Sequence, residues 1–496
     1  MPDLRYPKIH RRDFMARTAA AVGAFTLGEL AGAARGQEAD APRKPQASGG
    51  ESAEFACDAY GGWPGRKFEP SGFFRLEKAD RWWLVTPLGH AFLSWGINHM
   101  ESGLLRQPYN REYWQRQFDL PDGSPSRDWT ASFCRKARAD VAAFGFNTLG
   151  CHTNTSDYPA PIGPYIQRVD FPGIAHYRAL TEADFPDVFS SEFAEHCDGL
   201  AKREVEPRKD DPHLIAFTFC DCPVLTDDEA AAREVQVFGA PRAATPTWPC
   251  VLRNLGADAP GKQAYVRLVE RTYSGRIEEF NATYRTFFSS FDDLLRARNW
   301  RPMVDPRNFD ELRDNRLFLE EIVDRYYTTA NSAVRRYDSR HMIFGDKING
   351  NANPPDWLIE LVGGHMDLVF YQTYGYYGEQ EAAMNRWSRL TGKPLLNGDS
   401  SYSVPDEHMP NPLGPHCADQ EERARRSLEF ARQAFGRPDF VGWNWCGWMD
   451  GWNTIPTKEV RQHSGLQTPF GERYEPMLQA FSTLSRELYE IATRTG

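Results

Sequence analysis

Residues 394–403 read PLLNGDSSYS, a short apolar run that stops at Asn397-Gly398-Asp399-Ser400-Ser401. A helical stretch, residues 419–435, follows, and then a second apolar run opens the segment FVGWNWCGWMDGW, residues 440–452. A strand with a polar C-terminal end, then a helix, then another strand is the repeating unit of a β/α barrel. In that fold the active site is assembled at the strand ends. Asp399 is therefore the first candidate for a group that does chemistry; the plain alternative is an aspartate capping the next helix.

The same alternation runs back through the chain. Residues 91–98, 146–152, 165–171, 214–225, 342–348 and 368–377 read as strands, with amphipathic stretches at 132–144 and 189–205 between them. With the two strands above this makes eight. The expectation is an α/β fold, a (β/α)8 TIM barrel over residues 55–496. Residues 72–78 and 81–90 alternate around a turn ahead of strand one and predict a short N-terminal β element. Residues 261–337 carry helical periodicity (Phe280, Tyr284, Phe287, Phe288, Phe291) and predict a helical insertion after strand four, part of it a cap.

Residues 1–36 hold His10-Arg11-Arg12-Asp13-Phe14-Met15 and then a mild apolar stretch rich in Ala and Gly. Paired arginines in that setting read as a twin-arginine signal peptide, and the stretch is too short for a stable membrane span. Residues 37–54 read as a disordered linker. The expected location is periplasmic or secreted. Nine cysteines cannot all pair with one another, so complete intramolecular pairing is excluded.

The net charge of −10 argues against nucleic-acid binding, which calls for a basic face. Aromatic residues are 13% of the chain, a share that suits saccharide handling. Indole faces pack on the apolar face of a sugar ring while amides and carboxylates bond its hydroxyls. Trp443, Asn444, Trp445, Trp448 and Asp450 are expected on that ground to line a cleft; a tryptophan-rich core strand is the alternative.

The opening FFRLEKADRWWLVTPLGHAFLSWGIN, residues 73–98, resembles that of β-agarase-type glycoside hydrolases, members of the clan of retaining TIM-barrel glycosidases. The resemblance extends through FGFNTLG, residues 214–225, GDKINGN and the closing Trp-rich strand. It implies a barrel acting on a poly- or oligosaccharide, with no cofactor. It further implies an acid/base Glu after Asn at the end of strand four and a nucleophilic Glu at the end of strand seven. This chain has Phe219-Cys220-Asp221-Cys222-Pro223 at the first place and Asp399 at the second.

Glycoside cleavage needs one carboxylic acid to protonate the leaving oxygen and one carboxylate across the ring. Asp221 and Asp399 are the expected catalytic pair. Two aspartates, each one methylene shorter than glutamate, should stand further apart than two glutamates, which leans towards inversion. A carbohydrate-binding barrel without catalysis is the alternative, since the Asn-Glu pair is missing.

Other polar residues at strand ends are expected to bind substrate: Asn98 and His99 after strand one, His152 and Asn154 after strand two, Asp346, Lys347 and Asn349 after strand five, Gln372 and Tyr374 after strand six. A Pro-rich loop, residues 408–417, could place His416 over the cleft. With Cys220 and Cys222 that loop could also form a Cys/His metal site. Its spacing matches no zinc motif, and no metal is expected.

Overall fold

A computed structural model describes residues 57–118, 127–175, 181–226, 235–237, 240–242, 247–452 and 463–494. The expected signal peptide and linker lie outside the described residues. An antiparallel sheet comes first, from β1 (Trp63–Lys67), β2 (Arg75–Lys78), β3 (Trp82–Val85) and β4 (His90–Phe92), in the order β1-β4-β3-β2. Gly89 turns the chain into β4 at φ +84, and a Cβ there would lie 2.3 Å from the Phe68 carbonyl, so only glycine fits.

Eight strands then close a parallel barrel: β5 (Ser94–Ile97), β6 (Thr148–Leu149), β7 (Tyr165–Arg168), β8 (Leu214–Asp221), β11 (Met342–Asn349), β12 (Val369–Gln372), β13 (Leu395–Ser400) and β14 (Phe440–Trp445). The barrel and its N-terminal sheet are those expected. The stretch read as strand one is divided between the two, His90–Phe92 in the sheet and Ser94–Ile97 in the barrel. Between β8 and β11 lie a short antiparallel pair, β9 (Val235–Val237) and β10 (Ala240–Arg242), and the helices Trp248–Arg253, Pro260–Thr272, Ile277–Tyr284, Phe291–Arg296 and Phe309–Tyr337.

Barrel strands are covered on both faces, which is why they read as near-continuous apolar runs. Period-two geometry then sends alternate residues to opposite sides. On β14, Trp443 packs on Phe430 of helix Gln420–Gly436 and Trp445 on Phe481 of helix Glu475–Thr493. Both indoles fill the layer between barrel and helices. Asn444 points the other way, into the barrel, where its Oδ1 accepts from Ser94 Oγ at 3.3 Å. The closing seam of β14 on β5 is so tight there that a Cβ on Gly96 would lie 2.3 Å from that same oxygen.

Arg81, in the turn between β2 and β3, is buried at the foot of the barrel. It donates to the carbonyls of Phe435 (2.8 Å), Phe440 (2.6 Å) and Ala492 (2.9 Å), so one guanidinium joins the first sheet, β14 and the helix Glu475–Thr493. No described helix is long and apolar enough to cross a membrane.

Candidate active site

At the C-terminal mouth of the barrel, Lys347 reaches inward from β11 and lies between two carboxylates. Its Nζ is 2.9 Å from Asp221 Oδ1, at the end of β8, and 3.0 Å from Asp399 Oδ2, on β13. His152 completes the group: its Nε2 contacts Lys347 Nζ and lies 3.5 Å from each carboxylate. Asn98, after β5, donates to Asp399 Oδ1 at 2.8 Å and to the Gly398 carbonyl at 2.8 Å, while its own Oδ1 accepts from the His152 amide at 3.2 Å. Tyr374 donates to Asp399 Oδ2 at 3.3 Å. Six different strand ends thus converge on one ion cluster, with Lys347 and Asp399 almost wholly shielded from water and Asp221 the most accessible of the three.

Burial alone would raise both aspartates. The Lys347 ammonium, and after it His152, override burial and hold each carboxyl well below its usual range. Burial pulls Lys347 down, but the two carboxylates push its pKa well above normal. For His152, burial and the neighbouring ammonium oppose a charge; Cys151, Asp221 and Asp399 outweigh them and lift the imidazole to about 10. Two N–H donors cannot face each other across the Lys347–His152 contact, so the pair holds one proton fewer than two full cations would. Arg168 Nη1 lies 3.3 Å from His152 Nδ1 on the far side of the ring.

One ammonium within 3.0 Å of both carboxylates keeps those two oxygens within about 6 Å of each other. This is closer than two shortened side chains lead one to expect, because the lysine draws both towards itself. It is nearer the spacing of about 5 Å found in retaining pairs than the water-wide gap of inverting ones.

Of the residues expected at the site, Asn98, His99, His152, Lys347, Tyr374, Asp221 and Asp399 are brought together. Asn349 and Gln372 end neighbouring strands in register with each other and are half-buried at the mouth. The others are placed elsewhere. Asp346, one residue before Lys347, points outward, accepting from Tyr326 of helix Phe309–Tyr337 (2.7 Å) and from the Cys220 amide (2.9 Å). Burial there raises it to about 7. Asn154 caps a short turn by accepting from the Ser156 amide at 3.2 Å. His416 is exposed and bonds the Pro412 carbonyl of its own loop at 3.1 Å.

Trp443, Asn444, Trp445, Trp448 and Asp450 do not line a cleft: each is at most 1% exposed. The core alternative holds for the indoles. Trp448 Nε1 donates to Asp140 at 2.8 Å, and Asp450 accepts from the Gly465 amide at 2.6 Å and from Tyr474. Of the indoles in this segment only Trp452 is partly exposed, and it is stacked on His408 with ring centroids 4.0 Å apart. All nine cysteines are free thiols. Residues 408–417, Cys220 and Cys222 form no common metal-like group among the described residues.

Sequence reasoning missed Arg168, Cys446 and His463. Arg168 ends β7 and Cys446 follows β14, so the strand-end rule reached both positions without being applied to them. His463 follows no strand and gave no signal.

No protein-family model matches the chain. It is similar to two curated proteins of Vibrio sp. (strain JT0107). Beta-agarase B is 21% identical, with 87% of this chain and 50% of the relative covered. Beta-agarase A is 22% identical, with 77% and 42% covered. The chain spans about half or less of the length of these relatives. Among solved structures, an exo-beta-agarase superposes with a TM-score of 0.72 at 17% identity, covering 88% of this chain and 68% of that one. Another agarase gives 0.69 at 18%, with the same coverage. The resemblance of the opening motif to β-agarases is thus matched along most of the chain, and the barrel with its N-terminal sheet is the fold of these structures.

Proposed function

We propose that this chain is an exported glycoside hydrolase of the agarase kind, cleaving a glycosidic bond in a poly- or oligosaccharide with Asp399 and Asp221 as its carboxylates. The observation that carries the reading is the cluster at the barrel mouth, where two aspartates from β8 and β13 meet within reach of one ammonium. Asp399, oriented by Asn98 and kept ionised, faces the anomeric carbon as nucleophile or as the group that stabilises its developing charge. Asp221 is also ionised in the free chain, so it has no proton to give. The leaving oxygen takes the proton that the Lys347–His152 pair shares, or one from Asp221 once a sugar hydroxyl has displaced Lys347 and Asp221 has taken a proton from water. Trp452, partly exposed after β14, is the indole available to pack on a sugar ring. The twin-arginine stretch supports a periplasmic or secreted location, and the acidic balance supports a neutral glycan as the partner rather than nucleic acid.

A second reading, a binding barrel without catalysis, is favoured by one specific feature: Lys347 occupies the space between the carboxylates where a sugar would react.

Reducing-end release from agar, agaro-oligosaccharides and a panel of plant and marine glycans, with calorimetric binding in parallel, decides between them. We expect release by the wild type and a loss of about 10³-fold or more in Asp399→Asn. Affinity without release would favour the binding barrel, and equal release by both proteins would remove Asp399 from the mechanism.

A further inference from the structure

Beside the ion cluster lies a second group of side chains that the hydrolase reading does not use. His99, Cys446 and His463 place an imidazole nitrogen, a thiol sulfur and a second imidazole nitrogen within 4.8 Å of one another, and no other such group occurs among the described residues. Cys446 Sγ is 3.0 Å from His463 Nδ1. The His99 ring lies between two other imidazoles, 4.1 Å from that of His463 and 4.9 Å from that of His152.

From this geometry we infer that His99, Cys446 and His463 form a binding site for a borderline divalent cation of the zinc class. The inference stands on this cluster alone and does not depend on the glycosidase reading. Two imidazoles and a thiolate select zinc-like ions over magnesium or calcium, which prefer oxygen. A tetrahedral ion with bonds of about 2.0–2.3 Å needs its ligand atoms about 3.5 Å apart, so the three atoms are already close to the required spread. A fourth position remains for water or for the neighbouring Asp399 carboxylate.

The three ligands are held from behind. His99 sits at φ +55, a conformation non-glycine residues seldom adopt, which turns its ring towards the others. The His463 carbonyl accepts from the Gly451 amide at 3.0 Å. The two residues after it are fixed by buried Arg423, which donates to the carbonyls of Ser464 (2.9 Å) and Gly465 (2.8 Å). Gly447, after the cysteine, runs so close to this segment that a Cβ would lie 2.9 Å from the Ser464 carbonyl. Such a shell keeps ligands pointed at one place, as metal sites require.

A free thiol–imidazole nucleophile is the competing use of Cys446 and His463. Burial, with Asp399 second, pushes that thiol well above its usual range, and burial leaves both imidazoles less basic than normal. Such a thiol is a poor nucleophile unaided. A bound cation would ionise the thiol outright.

The test uses the purified full chain, stripped of metal and titrated with Co²⁺, then with Zn²⁺. Binding of one Co²⁺ with a thiolate-to-cobalt charge-transfer band, displaced by Zn²⁺, is expected. Cys446→Ser should abolish the band, and His463→Gln should weaken Co²⁺ binding at least about tenfold. Cys417→Ser, a buried thiol outside the group, should change neither. Absence of the band in the wild type, its persistence in Cys446→Ser, or unchanged affinity in His463→Gln would overturn the inference. Should circular dichroism show Cys446→Ser unfolded, His463→Gln decides alone, since it leaves the thiol in place. Glycan cleavage is not a readout, so this test and that of the hydrolase can fail separately.

Discussion

Two lysines are wholly buried among the described residues, and they titrate in opposite directions. Lys347, in the barrel mouth, lies between two carboxylates that drive its pKa far up. Lys262, on helix Pro260–Thr272 of the insertion, donates only to carbonyls, those of Arg253 (2.7 Å) and Ala297 (3.0 Å), and its charged neighbour is Arg253. Burial and that guanidinium lower it to about 7. Burial therefore does not decide the charge of an interior amine; the sign of what it faces does.

The surroundings differ in a second way. In the insertion the buried ion pair Arg253–Glu311 (2.8 Å) has its hydrogen bonds met: Arg253 also bonds Asn315 and the carbonyls of Arg301 and Met303, and Glu311 also takes Arg301. In the mouth, the amine and the imidazole share one proton across their contact. An ion pair with both charges bonded supports a fold, whereas a proton shared between two basic groups is suited to being exchanged.

The strongest way to break this contrast is to remove Lys347. Lys347→Met leaves two carboxylates without their cation and should cost about 3–5 kcal/mol at pH 7. In the wild type both carboxyls titrate below their unfolded values, so their stabilising effect is present above about pH 4 and is lost below it. The gap between wild type and variant, measured by urea unfolding, should shrink as pH falls through 4. A gap constant with pH would show that the lysine does not hold them ionised.

Removing the counter-charge in the insertion should cost a little less. Glu311→Gln keeps the shape and some hydrogen bonds but strips Arg253 and Arg301 of their carboxylate, for an expected loss of about 3 kcal/mol. Glycan binding should not change, because the pair lies in the insertion and not in the mouth. A shift in saccharide affinity by calorimetry would contradict that separation.

The smallest effect belongs to Lys262. Between about pH 7 and 10.4 the unfolded chain carries a proton on this lysine that the folded chain has lost, so stability should rise with pH in that window. Lys262→Met should change stability at pH 7 by only about 1 kcal/mol, since relief of desolvation offsets two lost hydrogen bonds. It should also remove that rise. A rise that survives in the variant would assign it to another group.

These contrasts mark what could be read from residue order. Eight strands were legible because barrel strands alternate with helices at regular spacing, and the rule that chemistry gathers at strand ends found Asp221, Lys347 and Asp399 together. The rule failed where it ignored the pleat. Asp346 and Lys347 are adjacent, yet one faces a helix and the other the mouth. Trp443 and Trp445 share a face, and that face meets helices and not sugar. Period two was present in the sequence, but a strand buried on both sides hides which face is which, since both are apolar. The neighbourhood of His99, Cys446 and His463 brings together residues far apart in the chain, His463 lying 17 positions after Cys446, and no local pattern encodes that.

Arg81 carries a consequence for how the chain folds. Its guanidinium is satisfied by carbonyls 354, 359 and 411 residues further along. While the polypeptide is being made, the arginine emerges early and waits for nearly the whole barrel before its three acceptors exist. Contacts of such long sequence separation slow the search for the native state. The last acceptor to be made lies on helix Glu475–Thr493, so all three bonds can be in place only once that helix docks.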